Sequence, residues 1–146
     1  MIEKIERFIR EHHLLSLATM GERLWCCSMF YAYDHESVSF IVASDETTEH
    51  MNNVLKNLHV AGTVALETKT VGKIQGIQFV GEMERCPEKL KILYFEAFPY
   101  ARIMNPILWI IRLDEVKMTD NTLGFGKKIT WRKSASPEAS FSSPSD

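Results

Sequence analysis

The stretch SDETTEHMNNVLKN, residues 44–57, carries the side chains best suited to hold an anion: the hydroxyls of Ser44, Thr47 and Thr48 and the imidazole of His50. It reads as the end of a strand running into a helix. Unpaired backbone N–H groups and the helix dipole favour negative charge at such a start. Ser44, Thr48 and His50 are therefore candidate phosphate ligands. The same residues serve as well for an ordinary helix cap, and Glu46 and Glu49 already bring negative charge to that turn. A second stretch, TDNTLGFGKKITW at 119–131, invites comparison with a phosphate loop. A Walker-type loop needs four residues between its glycines, then Lys-Ser/Thr and a helix. Here only Phe125 separates Gly124 from Gly126, and β-branched Ile129 and Thr130 follow. The spacing predicts a hairpin with glycines at positive φ, leaving Lys127 and Lys128 on its rim.

Other chemistry is less well supplied. His12, His13, His35, His50 and His59 form no HExxH and no Cys-x-x-Cys partner set, which argues against a zinc site. Cys26 and Cys27 are adjacent, so on a strand they face opposite ways, and one of them is expected to be buried. No Ser-His-Asp set or paired carboxylates can be recognised by spacing.

The elements that must position these groups fit one domain of 146 residues. A net charge of −2 excludes a long basic surface for nucleic acid. No apolar run is long enough to span a bilayer. The charged start MIEKIERFIREHH is unlike a secretory signal, and three cysteines without one point to reduced thiols and a cytoplasmic protein. Ile2, Ile5 and Ile9 form the apolar stripe of a first helix over 2–12. Strands are predicted at 14–20, 24–34, 38–44, 59–67, 74–86, 107–120 and 129–133. A helix is predicted over 44–57, with Met51, Val54, Leu55 and Leu58 at helical spacing, and another from Pro87, ended or kinked at Pro99. Strand 24–34 is apolar on both faces, which calls for a cover on each, and another subunit could supply the second. In 107–120 the alternation of Trp109, Ile111 and Leu113 resumes out of phase at Val116, predicting a bulge near Asp114-Glu115. Gly81 falls on the inner face of its strand, where a side chain would otherwise pack. Residues 1–133 form the domain, a mainly β antiparallel barrel of six or seven strands with three short helices. The Ser/Pro-rich segment 134–146 is expected to be disordered.

The order of strand, turn, VSFIVAS and TEHMNNVLKNLHVAGTV resembles the FMN-binding split-barrel superfamily, the pyridoxamine-5′-phosphate-oxidase-like proteins. Ser44 matches that pattern's strand-end hydroxyl and Thr48 its helix-start hydroxyl, while His50 stands at a lysine. Asn53-Val54 and Asn57-Leu58-His59-Val60 match the following pieces, and Gly81 a glycine of a later strand. LWCCSMFYAYD, KTVGKIQGIQFVGEM, FPYARIM and LDEVKMTDNTLGFGKKITW look like the small bacterial YhbP-type family within that superfamily, and this similarity covers nearly the whole chain. The resemblance implies a six-stranded Greek-key split barrel and a homodimer with a flavin groove at the subunit interface. Ser44, Thr48 and His50 would hold the FMN phosphate, Met29 and Val42 line the ring, and Gln75 donate to it. The flavin would run a redox step on a small molecule with a nicotinamide donor. The sequence departs from the oxidase pattern where cations are expected: Cys26 and Tyr31 replace an arginine and a lysine, and Glu49-His50 an Arg-Lys pair. Lys73, Arg102, Lys127 and Lys128 remain as sources of charge. The alternative is a non-enzymatic binding protein on the same scaffold, for a protein partner, haem or another flat cofactor. In the haem case His12, His13, His50 or His59 would ligate the iron.

Overall fold

The computed structural model describes residues 1–134. The Ser/Pro segment, Ser134 apart, lies outside the described residues. The elements run α1 (Glu3–Glu11), β1 (Leu14–Met20), β2 (Leu24–Asp34), β3 (Ser39–Ala43), α2 (Glu49–Lys56), β4 (His59–Ala65), β5 (Gln75–Arg85), α3 (Lys91–Ala97), α4 (Ala101–Met104), β6 (Leu108–Asp120) and β7 (Lys128–Arg132). The sheet order is β3-β2-β1-β4-β5-β6-β7, and β3 also pairs with β6. Six antiparallel strands thus close into a barrel, and β7 extends it from β6. This is the mainly β six-stranded barrel expected from the sequence.

Strand alternation sends one face of each strand inward. Leu17, Tyr31, Phe40, Val64, Phe79 and Ile111 meet in a single interior cluster. The bulge falls where the pattern slips: Val80 pairs with Glu115 and Gly81 with Leu113, so Asp114 is the extra residue. Gly81 is required there, because a Cβ would stand 2.3 Å from the Arg112 carbonyl oxygen. The second cover of β2 comes partly from the chain itself. Ala32, Ile41 and Ile110 point outward and are buried beneath Tyr94 of α3, and Phe30 stacks on Phe98 at 5.4 Å. The first half of β2 stays uncovered, with Leu24 73% exposed.

Three expectations for the helices need correction. The second helix begins at Glu49, not Ser44, because Asp45 organises residues 45–48 as a turn through its bonds to Thr47. Leu55 and Leu58 are exposed. The helix is short and lies on the barrel by one face only, formed by Met51, Val54 and the polar Asn53, whose amide donates to Thr19 Oγ1 and the Arg23 carbonyl. Pro87 opens a 3₁₀ turn before α3 instead of an α-helix, and beyond Pro99 the separate α4 follows, giving four α-helices among the described residues.

Helix α1 lies on the barrel through Ile5, Phe8 and Ile9 and is tied down by charge. Glu6, 4% exposed, accepts from Tyr33 Oη at 2.5 Å and lies 2.8 Å from His35 Nδ1. Burial alone would raise the Glu6 pKa, but the bonds from Tyr33 and His35 outweigh it and hold the carboxyl below its ordinary value. Burial and the Glu6 bond together push the Tyr33 phenol far up. Lys4 meets the buried Asp120 at 3.1 Å, and Asp120 in turn accepts from the Thr122 amide and caps the last hairpin. In that hairpin Gly124 (φ 129°) and Gly126 (φ 72°) take the left-handed conformations the turn reading requires.

Candidate functional site

Ser44 follows β3 at the point where the barrel closes onto β6. Its amide donates to the Ile107 carbonyl at 3.1 Å, and its carbonyl accepts from Trp109 Nε1 at 2.9 Å. With the backbone paired on both sides, only the hydroxyl is left to turn. It meets His50 Nε2 at 2.6 Å, and Thr48 Oγ1 lies 3.2 Å from the same nitrogen. Thr48 also caps α2, accepting from the Met51 amide at 3.3 Å and donating to the Asp45 carbonyl at 2.9 Å. Burial pushes the His50 pKa down and favours the neutral ring, which shares one hydrogen bond with the Ser44 hydroxyl through Nε2. The two readings of this stretch therefore coexist: Thr48 is a helix cap, and Ser44, Thr48 and His50 form one cluster at the helix start. The first amides of any helix lack an intrahelical acceptor, which adds donors at Glu49 and His50.

The carboxylates around this helix start are engaged. Glu49 pairs with Arg23 at 2.7 Å and Glu46 with Arg85 at 3.3 Å, while Asp45 is held by the Thr47 amide and hydroxyl. Arg85 also lies over the Trp109 ring, 5.3 Å from its centroid, beside the residue that holds Ser44. Arg23 and Arg85 are the charges that sequence reasoning missed. Their partners lie 26 and 39 positions away, a separation at which no local pattern operates. Next to Ser44 opens a cavity of about 490 Å³, lined by Ala43, Ser44, Tyr94, Met104, Asn105 and Ile107. That is within the size range of cofactor pockets.

The remaining candidates are not brought to this cluster. Met29 and Val42 are buried in the barrel interior. Gln75 begins β5 opposite Asp120, at the far end of the strand from Arg85. Tyr31 is buried and donates to the Ile9 carbonyl at 2.6 Å, whereas Cys26 is exposed. Lys73 and the pair Lys127-Lys128 lie at the Gln75 end, where Asn121 bonds the turn before β5. Arg102 rests on Phe95 at 4.7 Å. Among the described residues no three His, Cys, Asp or Glu side chains gather as a metal site, and no helix is long and apolar enough to cross a membrane.

A closed six-stranded barrel with a helix starting at the β3–β6 seam defines a split-barrel protein. Solved structures agree on the fold. The conserved hypothetical protein Rv2991 of Mycobacterium tuberculosis superposes with a TM-score of 0.71 at 18% identity, covering 95% of each chain. A heme binding protein from Mycobacterium smegmatis gives 0.67 at 14% identity, over 82% of this chain and 52% of that one. An FAD-binding protein from Mesorhizobium loti gives 0.66 at 12% identity, over 79% and 89%. No family model matches the chain. Curated relatives are closer: the UPF0306 protein of Cronobacter sakazakii is 45% identical over 135 residues, 89% of this chain and 94% of its own length. The UPF0306 protein YhbP of Escherichia fergusonii is 41% identical over 139 residues, 92% and 95%. The chain belongs to the UPF0306 family, the YhbP-type family it resembles in sequence.

Proposed function

We propose that this chain forms a homodimeric flavin-binding protein with the FMN phosphate on Ser44, Thr48 and His50. The observation that carries the reading is the convergence of those three side chains at the start of α2 beside a cofactor-sized cavity. The donors suit a phosphate: two hydroxyls, an imidazole able to take a proton, and first-turn amides. The nearby glutamates do not oppose it, since each is paired. When bound, the flavin would supply hydride transfer. The chain's own part is to hold the phosphate, turn the Ser44 hydroxyl from His50 toward it, and let His50 take up a proton. Such a protein would act as an oxidoreductase on a small molecule, with Gln75 of the second copy reaching the ring.

The test is the visible spectrum of the purified protein, before and after excess FMN and desalting. Retained flavin is expected, and His50→Ala should weaken it about tenfold, the loss of one charge-assisted bond. A folded dimer that retains no flavin overturns the reading.

A second reading, haem binding, is favoured by one observation. His12 Nδ1 is held by the Phe8 carbonyl at 2.8 Å, which fixes the ring and leaves Nε2 to ligate. It borders a cavity of about 380 Å³ with Arg10, His13, Tyr33, Leu93 and Phe98. A Soret band on adding haem, lost in His12→Ala, would mark that site.

A further inference from the structure

Two neighbouring turns project from the end of the barrel remote from Ser44, and they are built as one piece. Asn121 joins the turn before β5, residues 66–74, to the last hairpin, residues 121–127. Its amide donates to the Ile74 carbonyl at 2.9 Å and its side chain donates to the Val71 carbonyl at 3.0 Å. Its Oδ1 accepts from the Gly126 amide at 3.1 Å. The tips held side by side in this way are apolar. Val71, Ile74, Leu123 and Phe125 are all exposed, and Phe125, between two glycines of positive φ, is 79% exposed. The tips are also convex, since a Cβ placed at Gly72 or at Gly124 would meet nothing within 4 Å. Clustered exposed apolar side chains with a polar rim mark a surface that meets something.

The rim carries one sign of charge. Segments 66–74 and 121–128 hold Lys69, Lys73, Lys127 and Lys128 against a single acid, Glu67, in a chain whose net charge is −2. None of these four lysines has an ion-pair partner among the described residues. Asp120, at the base of the hairpin, is buried and already paired with Lys4. The acidic turn with Asp34 and Glu36 stands well back. It leads into Val38, whose carbonyl bonds the Leu113 amide, and seven residues of β6 separate Leu113 from Asp120, roughly 23 Å at strand rise.

Convex apolar tips within a ring of lysines suit a soft partner with an anionic surface. A folded protein would have to bring a matching concavity, whereas a bilayer deforms round the tips while its headgroups take the lysines. We infer that this end of the barrel docks on an anionic bilayer surface. Phe125 and Leu123 enter the acyl boundary beside Val71 and Ile74, and the four lysines meet the headgroup phosphates. Such contact needs no spanning segment and is weak and reversible. The tips lie beyond Gln75 and apart from the Ser44 cluster, so the inference goes beyond the flavin reading and does not depend on it.

The experiment uses the full chain without FMN, sedimented with phosphatidylcholine vesicles that contain or lack phosphatidylglycerol. Binding is expected to the anionic vesicles alone and should fall as salt rises. Lys127→Glu/Lys128→Glu should weaken it about twentyfold or more, from roughly fivefold for each lysine. Phe125→Ser should weaken it about tenfold or more. Ile103→Ser, on α4 and 84% exposed, should change nothing. Depth is read separately in Phe125→Trp, whose added emission should be quenched by lipids brominated along the acyl chains, with the unmutated chain as baseline. No sedimentation with anionic vesicles overturns the inference, as does a loss in Ile103→Ser equal to that in Phe125→Ser. Binding without quenching at position 125 overturns the insertion of the tips. A chain that ignores vesicles but changes its oligomeric state in Phe125→Ser assigns the tips to a second copy, which also overturns the inference. Uptake of FMN by the purified chain bears on none of these readouts, so the two ideas fail separately.

Discussion

Replacing Tyr33 by Phe removes one hydroxyl and leaves the ring packed against Phe40, so it isolates the bond that fastens α1 to the barrel. The acceptor is a carboxylate 4% exposed, and a hydrogen bond to a charged group is worth about 1.5–3 kcal/mol. Glu6 retains His35, which is itself largely exposed, so the expected loss is about 2 kcal/mol. For a chain of this size that lowers Tm by about 4–8 °C, read by circular dichroism at pH 7. In a Glu6→Gln background the same substitution should cost only about 1 kcal/mol, the worth of a neutral hydrogen bond, since the charge that made the bond strong is gone. The pH dependence has a definite sign. The folded-state pKa of Glu6 is depressed, so its contribution is complete above the ordinary value of 4.5 and lost as pH falls through the folded value. The gap between wild type and Tyr33→Phe should therefore close in acid. An equal cost in both backgrounds, or a gap that does not narrow as pH falls below 4.5 toward acid unfolding, would refute the assignment of the strength to the ionised carboxylate.

Gly81→Ala should cost about 3 kcal/mol or fail to fold, because its Cβ meets a barrel backbone carbonyl, whereas Gly72→Ala, which meets nothing within 4 Å, should be nearly silent; urea unfolding of both checks this. FMN affinity, by fluorescence titration, should rise as pH falls toward His50's titration: burial disfavours the free imidazolium, an anion favours it, and affinity is lost as pH rises through the complex's higher pKa; His50→Gln should flatten the profile. Burial raises the Cys27 thiol to about 11 from 9.0, so at pH 8 its thiolate fraction is about a hundredfold lower; mass-resolved alkylation should modify exposed Cys26 first, and comparable rates would contradict the burial.

Much of the barrel was legible because strand alternation and turn chemistry act locally. The bulge at Asp114 followed from odd-numbered Trp109, Ile111 and Leu113 giving way to even-numbered Val116, and the glycine hairpin from spacing alone. The inner face of α2 was less legible. Leu55 and Leu58 satisfy a helical period but lie off the contact, while Asn53 is buried because Thr19 and the Arg23 carbonyl satisfy its amide, and no helical period marks such a partner. At the candidate site the three residues six positions apart or fewer were found together. Arg85 and Trp109 were not recognised as part of it, since they arrive on strands that meet β3 and its exit only when the barrel closes.

That closure has a kinetic side. The β3–β6 seam joins residues 39–43 to 108–112 across the intervening α2, β4, β5, α3 and α4. Contacts so distant in sequence reward the chain late, after most loop entropy has been lost. Trp109 cannot reach Ser44 until the seam forms. The Trp109 hold on Ser44 is thus completed only with the seam, and a ligand held beside it would stabilise the finished barrel over every partly folded predecessor.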